Sequence, residues 1–174
     1  MTQIPILFNG AYDINVPATH RFNGTKFSKL VNQLQRSNFS KKLDFHQSSP
    51  VRYRDVLRTH AVDYVQRLVN GTLSRDEVRQ INLPIDTQLV KRSFLTLNGT
   101  YTTALKALEV GVACHAAGGT HHAHYSNGLG FCVFNDLAFT ALNLIGHGLV
   151  GKVLILDLSL IHISEPTRLL SISY

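Results

Sequence analysis

Gly118-Gly119-Thr120-His121-His122-Ala123, followed by Gly130-Phe131-Cys132-Val133-Phe134-Asn135-Asp136, is the stretch whose reading decides the fold. Gly111 to Ala117, just before it, is small and apolar, and reads as a buried strand running into the Gly-Gly turn. Asn135 or Asp136 just after it is a helix N-cap, opening a helix to about Ile145. Lys152 to Leu158 (KVLILDL) then reads as a parallel strand buried on both faces. Strand, Gly-rich loop, helix, strand is the grammar of an open α/β sheet, whose chemistry gathers at the carboxyl ends of strands. His121, His122 and Asp157 all fall there. Two adjacent imidazoles suit proton transfer near neutral pH.

The rest of the chain extends the pattern. Ile4 to Phe8 reads as a first strand, and Leu43-Asp44-Phe45 as a second. A helix over about Lys26 to Gln35 carries Phe27, Leu30, Val31 and Leu34 on one face. Arg54 to Val69 reads as helical segments, and Ser74 with Glu77 as a capping box. Asp86 to Glu109 is a long helix with a weak point at Asn98-Gly99. No repeat, low-complexity tract or linker divides the chain, so it is one domain or part of one.

Composition bounds the function. Hydrophobic residues make up 44% and charged residues 16%, a globular balance. There is no apolar run of membrane-spanning length and no basic, apolar leader, so a cytoplasmic protein is expected. Four Asn-X-Ser/Thr sequons (Asn23, Asn38, Asn70, Asn98) are then chance occurrences. Cys114 and Cys132 have no metal spacing and are expected to be reduced and buried. Residues 1–110 hold 15 Lys/Arg against 8 Asp/Glu, while residues 111–174 hold 2 against 3. Without an interleaved aromatic stripe this describes a solvated helical surface better than a nucleic-acid site. His121, His122 and His124 invite a zinc reading, but adjacent residues rarely reach one ion.

These motifs resemble the zinc-dependent histone deacetylase family, which includes bacterial acetoin-utilisation and acetylpolyamine deacetylases. That family carries Gly-Gly-X-His-His-Ala, then Gly-Phe-Cys-X-X-Asn-Asp, then a strand ending Asp-X-Asp-X-His. His20-Arg21-Phe22 with Lys26 and Lys29 is similar to the opening segment of the class IV branch and its bacterial relatives. Thr59-His60 with Tyr64-Val65, and Leu83-Pro84, also match. The resemblance covers about residues 4 to 158. It implies a three-layer α/β/α fold with a mainly parallel sheet of the arginase/deacetylase type. It implies hydrolysis of the acetyl amide of acetyl-lysine, in a protein or in a related small amine, with zinc-activated water. His121 and His122 take the family's catalytic proton-transfer positions. Gly130 and Phe131 line the channel for the acyl-lysine stem. Asp157 orients the first histidine and shares a structural monovalent-cation site. Lys26 lies beside the acetate-side cavity. Within its motif Phe131 reads as channel before core; on their own residue types, Asp157 serves equally as a strand-end cap, Asn135-Asp136 as a plain N-cap and Tyr64 as packing.

The pattern breaks after Asp157. The two zinc-ligand positions hold Ser159 and Ile161, and His162 falls one residue late, on the opposite face of an extended strand. The family's third zinc-ligand Asp and its carbonyl-polarising Tyr do not occur. Residues 159–174 (SLIHISEPTRLLSISY) continue no α/β pattern and resemble translated sequencing-adapter DNA. The expectation is the N-terminal part of one deacetylase domain over residues 1–158, with a non-native or divergent tail. Such a chain would be inactive alone, marginally stable and prone to aggregate. The alternative is a catalytically dead pseudoenzyme that binds acyl-lysine or a partner.

Overall fold

A computed structural model describes residues 3–158. The expectations for Ser159, Ile161, His162 and the tail 159–174 lie outside the described residues.

Three parallel strands form the sheet, in the order β2-β1-β3: β1 (Ile4–Phe8), β2 (Leu43–Gln47) and β3 (Cys114–His115). Ile4 pairs with Leu43 on one side of β1, and Ile6 with Cys114 and Leu7 with His115 on the other. Successive residues of a strand point to opposite faces. Pro5, Ile6 and Leu7 are all buried, so β1 is covered on both faces, as a parallel sheet requires.

The helices are α1 (Lys26–Arg36), α2 (Tyr53–Val56), α3 (Val62–Val69), α4 (Arg75–Ile81), α5 (Thr87–Val110) and α6 (Asp136–Gly146). The Ser74–Glu77 capping box forms in full and starts α4. Helix α5 runs unbroken through Asn98-Gly99. Gly99 is there for clearance: a Cβ would lie 2.3 Å from His115 Nε2 and 2.4 Å from Tyr12 Oη. The core gathers Tyr12, Tyr64, Leu68, Ile81, Leu89 and Leu97, all essentially inaccessible to solvent. No helix among the described residues is long and apolar enough to cross a membrane.

Three expectations are corrected. The strand expected over 111–117 shrinks to two residues, because only Cys114 and His115 find ladder partners on β1. Cys114 lies exposed on that outer position rather than buried, whereas Cys132 is buried. The run 152–158 joins no ladder among the described residues, and Leu154 and Leu156 are 80% and 72% exposed. An apolar strand is held by neighbours on its edges and cover on both faces. Here Val153 to Leu156 only line a cleft of about 340 Å³ with side chains of α5 and α6 such as Ala104, Leu137 and Leu144.

Candidate active site

Asp157 follows α6, while the loop between β3 and α6 carries His121, His122, Gly130 and Phe131. Its shape is fixed from the start of α6. The Asn135 side chain caps α6 by accepting from the Ala138 N–H at 2.9 Å. Its Nδ2 donates back to the carbonyls of His121 (3.1 Å) and Ala123 (3.0 Å). The Asn135 N–H donates to His60 Nε2 at 3.0 Å. His60 therefore carries its proton on Nδ1, facing the Tyr125 carbonyl at 3.3 Å. Burial lowers the pKa of His60, which keeps this acceptor neutral. Tyr64 is buried and donates to the Val133 carbonyl at 2.8 Å, as a packing role predicts.

Asp136 is more than the plain cap expected of it. It is fully buried, and its two oxygens accept from the Gly119 N–H (2.9 Å), the Thr120 N–H (2.7 Å) and the Thr100 hydroxyl. The Gly-Gly turn is thus pinned to the start of α6 by a carboxylate.

The His121 and His122 rings lie 4.1 Å apart between centroids. His121 Nδ1 is 2.9 Å from the Gly119 carbonyl, and Nε2 is 3.2 Å from Asp157 Oδ2. Both nitrogens face acceptor oxygens, so the ring is oriented by its surroundings. Among the described residues the His122 ring has no hydrogen bond, and His122 is exposed. It is the member of the pair free to meet a ligand. His124 is exposed, and no group of three His, Cys, Asp or Glu side chains among the described residues could hold a metal ion.

Gly130 and Phe131 are the central residues of a tight turn. Leu129 and Cys132 exchange two backbone hydrogen bonds of 2.9 Å across it. Both central residues have positive φ, +54° and +68°, as a type I′ turn demands. That is ordinary for glycine and costs about 1–2 kcal/mol for phenylalanine. The α4 carbonyls of Gln80 and Ile81 hold the two N–H groups at 2.9 and 2.8 Å. The strained backbone aims the Phe131 ring at Phe22 (5.5 Å) and His20 (5.9 Å). The backbone of Gly130 passes close enough to His122 that a Cβ would sit 3.4 Å from its ring. Half-buried Phe131 packs against the edge of the core, and its neighbour Gly130 is what borders the His122 ring.

Behind this aromatic wall, the Lys26 ammonium lies 4.5 Å over Phe22 and 5.1 Å over Phe27, and the Arg92 guanidinium 4.9 Å over Phe27. Burial, followed by the charge of Arg92, lowers the Lys26 pKa. Burial also pulls Arg92 down to about 10, while its Nε donates to the Tyr12 carbonyl at 2.8 Å.

Sequence reasoning missed Asp136, Thr100, His115 and Tyr12 as parts of this assembly. One signal was available: an acidic residue directly after an N-cap that already had its acceptor.

The histone deacetylase domain family matches residues 20–163. An uncharacterized protein of Picosynechococcus sp. is 35% identical over 163 residues, covering 94% of this chain and 54% of that protein. The acetoin utilization protein AcuC of Staphylococcus aureus is 27% identical over 148 residues (79% and 38%), and histone deacetylase 2 of Arabidopsis thaliana 25% over 171 (91% and 43%). The chain spans about half the length, or less, of these curated relatives. Two solved structures share the fold. An HDAC homolog complexed with SAHA superposes with a TM-score of 0.62 at 21% identity, covering 85% of this chain and 42% of that one. The HDA15 HD domain gives 0.69 at 15% identity, covering 84% and 44%. With the α/β architecture and the His-His loop in place, the chain belongs to the histone deacetylase domain family.

Proposed function

We propose that this site is the proton-handling and substrate-gripping half of an acetyl-amide hydrolase centre. The observation that carries it is the exposed His122 ring, set beside an oriented His121 and bordered by the Gly130–Phe131 turn. In a complete centre, with a metal to activate water, His122 would be general base and then general acid toward the leaving amine. His121 is its electrostatic partner, and Asp157 orients His121. The Phe131 ring flanks the methylene stem of an acetyl-lysine or similar acetylated amine, for which an apolar wall is suited. The zinc that the family uses does not fit the donors of this chain, because its two ligand positions hold Ser159 and Ile161. The chain therefore grips acetylated amines without turning them over. The test is titration with an acetyl-lysine peptide followed by histidine-selective NMR. The His122 signals shift while those of His147, on the far end of α6, stay fixed. Shifts spread evenly over all histidines, or absent at His122, would contradict the proposal.

A further inference from the structure

Behind the histidine loop lies a chain of side-chain hydrogen bonds that the proposed chemistry does not use. Ser48 Oγ meets Tyr12 Oη at 2.6 Å, Tyr12 Oη meets His115 Nε2 at 2.8 Å, and His115 Nδ1 meets Thr100 Oγ1 at 2.8 Å. Thr100 then donates to Asp136, which holds the Gly119 and Thr120 N–H groups. The direction of every proton follows from its end. A carboxylate only accepts, so the Thr100 hydroxyl donates to it. Thr100 must then accept from His115 Nδ1–H. That leaves His115 Nε2 as an acceptor for the Tyr12 hydroxyl, which in turn accepts from Ser48. All links run one way, from the end of β2 to the turn that carries His121 and His122.

The surroundings are cut to fit this chain. A Cβ on Gly99 would collide with both Tyr12 Oη and His115 Nε2. A Cβ on Gly118 would lie 2.9 Å from His115 Nδ1, 3.1 Å from Thr100 Oγ1 and 3.4 Å from Asp136 Oδ2. Burial raises the Tyr12 pKa to about 12 and lowers that of His115 to about 4, so both stay in the neutral forms the chain needs.

We infer that Asp136 is the positioning residue of the His121–His122 turn, and that Thr100 and His115 hold its carboxylate in the orientation that grips both N–H groups. An aspartate held by a third donor has one rotamer in which both oxygens face the turn; without that donor the carboxylate is free to rotate and the two N–H bonds loosen. The functional meaning rests on the proposed role of the histidine pair, but the geometry does not, and the two can fail separately.

Hydrogen–deuterium exchange of the full chain, read at single-residue resolution by mass spectrometry, tests it. Thr100→Val keeps shape and removes the donor; Thr100→Ser keeps the donor and trims a methyl. Exchange at the Gly119 and Thr120 amides is expected to rise about tenfold in Thr100→Val, the value of one hydrogen bond to a charged group. It should stay within about twofold of the parent in Thr100→Ser, with the amides of β1 and α5 unchanged in both. Equal exchange in parent and Thr100→Val would overturn the inference. So would equal loss in both variants, or a uniform rise across β1 and α5, because either is the mark of packing and not of the hydroxyl.

Discussion

His121 Nε2 and Asp157 Oδ2 stand 3.2 Å apart, and the two side chains are 35% and 44% exposed. This pair joins the histidine turn to the run 152–158, which joins no ladder among the described residues. A pair this wet contributes less than about 1 kcal/mol to stability. Loss of this pair in Asp157→Ala is therefore expected to cost less than about 1 kcal/mol, while the His121 ring keeps only its Gly119 carbonyl hydrogen bond. A loss of several kcal/mol in equilibrium unfolding would show the contact to be structural.

Phe131 should carry binding at a cost in backbone strain. Phe131→Gly removes the ring and suits the φ of +68°. Stability is expected to change by less than about 1 kcal/mol, since relieved strain offsets lost ring contact. Affinity for an acetyl-lysine peptide should fall about tenfold, the worth of one aromatic wall. Calorimetric titration of both forms measures it; unchanged affinity places the substrate elsewhere.

Much of this was legible in the sequence, for a physical reason. Residues 118–123 and 130–136 combine glycines that turn the backbone with side chains that cap a helix or can carry protons, so they signal both fold and a candidate site. The Asn135 cap, the Ser74–Glu77 box and the 4–8 strand follow from local rules and appear as expected. The run 152–158 misled because apolar content reports strand propensity, whereas pairing depends on neighbours far along the chain. The buried polar chain was illegible for the same reason. Tyr12 and His115 lie 103 residues apart, and no local pattern announces that they meet. Gly99 read as a weak point in a helix, when it marks the place where those two side chains cross.

Gly99→Ala checks that reading. On helix propensity alone alanine gains about 1 kcal/mol. Here its methyl would lie 2.3 Å from the His115 ring and 2.4 Å from the Tyr12 hydroxyl. Overpacking of this kind costs about 1–3 kcal/mol, and the Tyr12–His115 bond is lost with it. The expected net effect is destabilisation of about 1–2 kcal/mol, seen as a lower denaturant midpoint. A stabilised variant would mean that the crossing is not as tight as described.

His115 makes stability pH-dependent. Burial holds its pKa at about 4, against an ordinary 6.5, with Asp136 opposing and Arg92 reinforcing the shift. The fold thus favours the neutral ring. Its contribution is fully present above pH 6.5 and is lost as the pH falls toward 4. The span corresponds to roughly 3 kcal/mol. Burial shifts His60 in the same direction, and that residue remains in a His115→Asn variant. The comparison therefore isolates His115: the variant should lose less stability than the parent between pH 7 and pH 4.5. Parallel stability profiles would contradict the assigned burial.

The central proposal is that the histidine pair lacks its metal, because the two ligand positions that the family resemblance implies hold Ser159 and Ile161. Zinc titration of the full chain, combined with an acetyl-lysine peptide hydrolysis assay, tests it most directly. The expected result is no stoichiometric zinc binding that depends on His121, His122 or Asp157, and no turnover above that of a His122→Ala variant. Stoichiometric zinc binding with hydrolysis that disappears in His122→Ala would contradict the account.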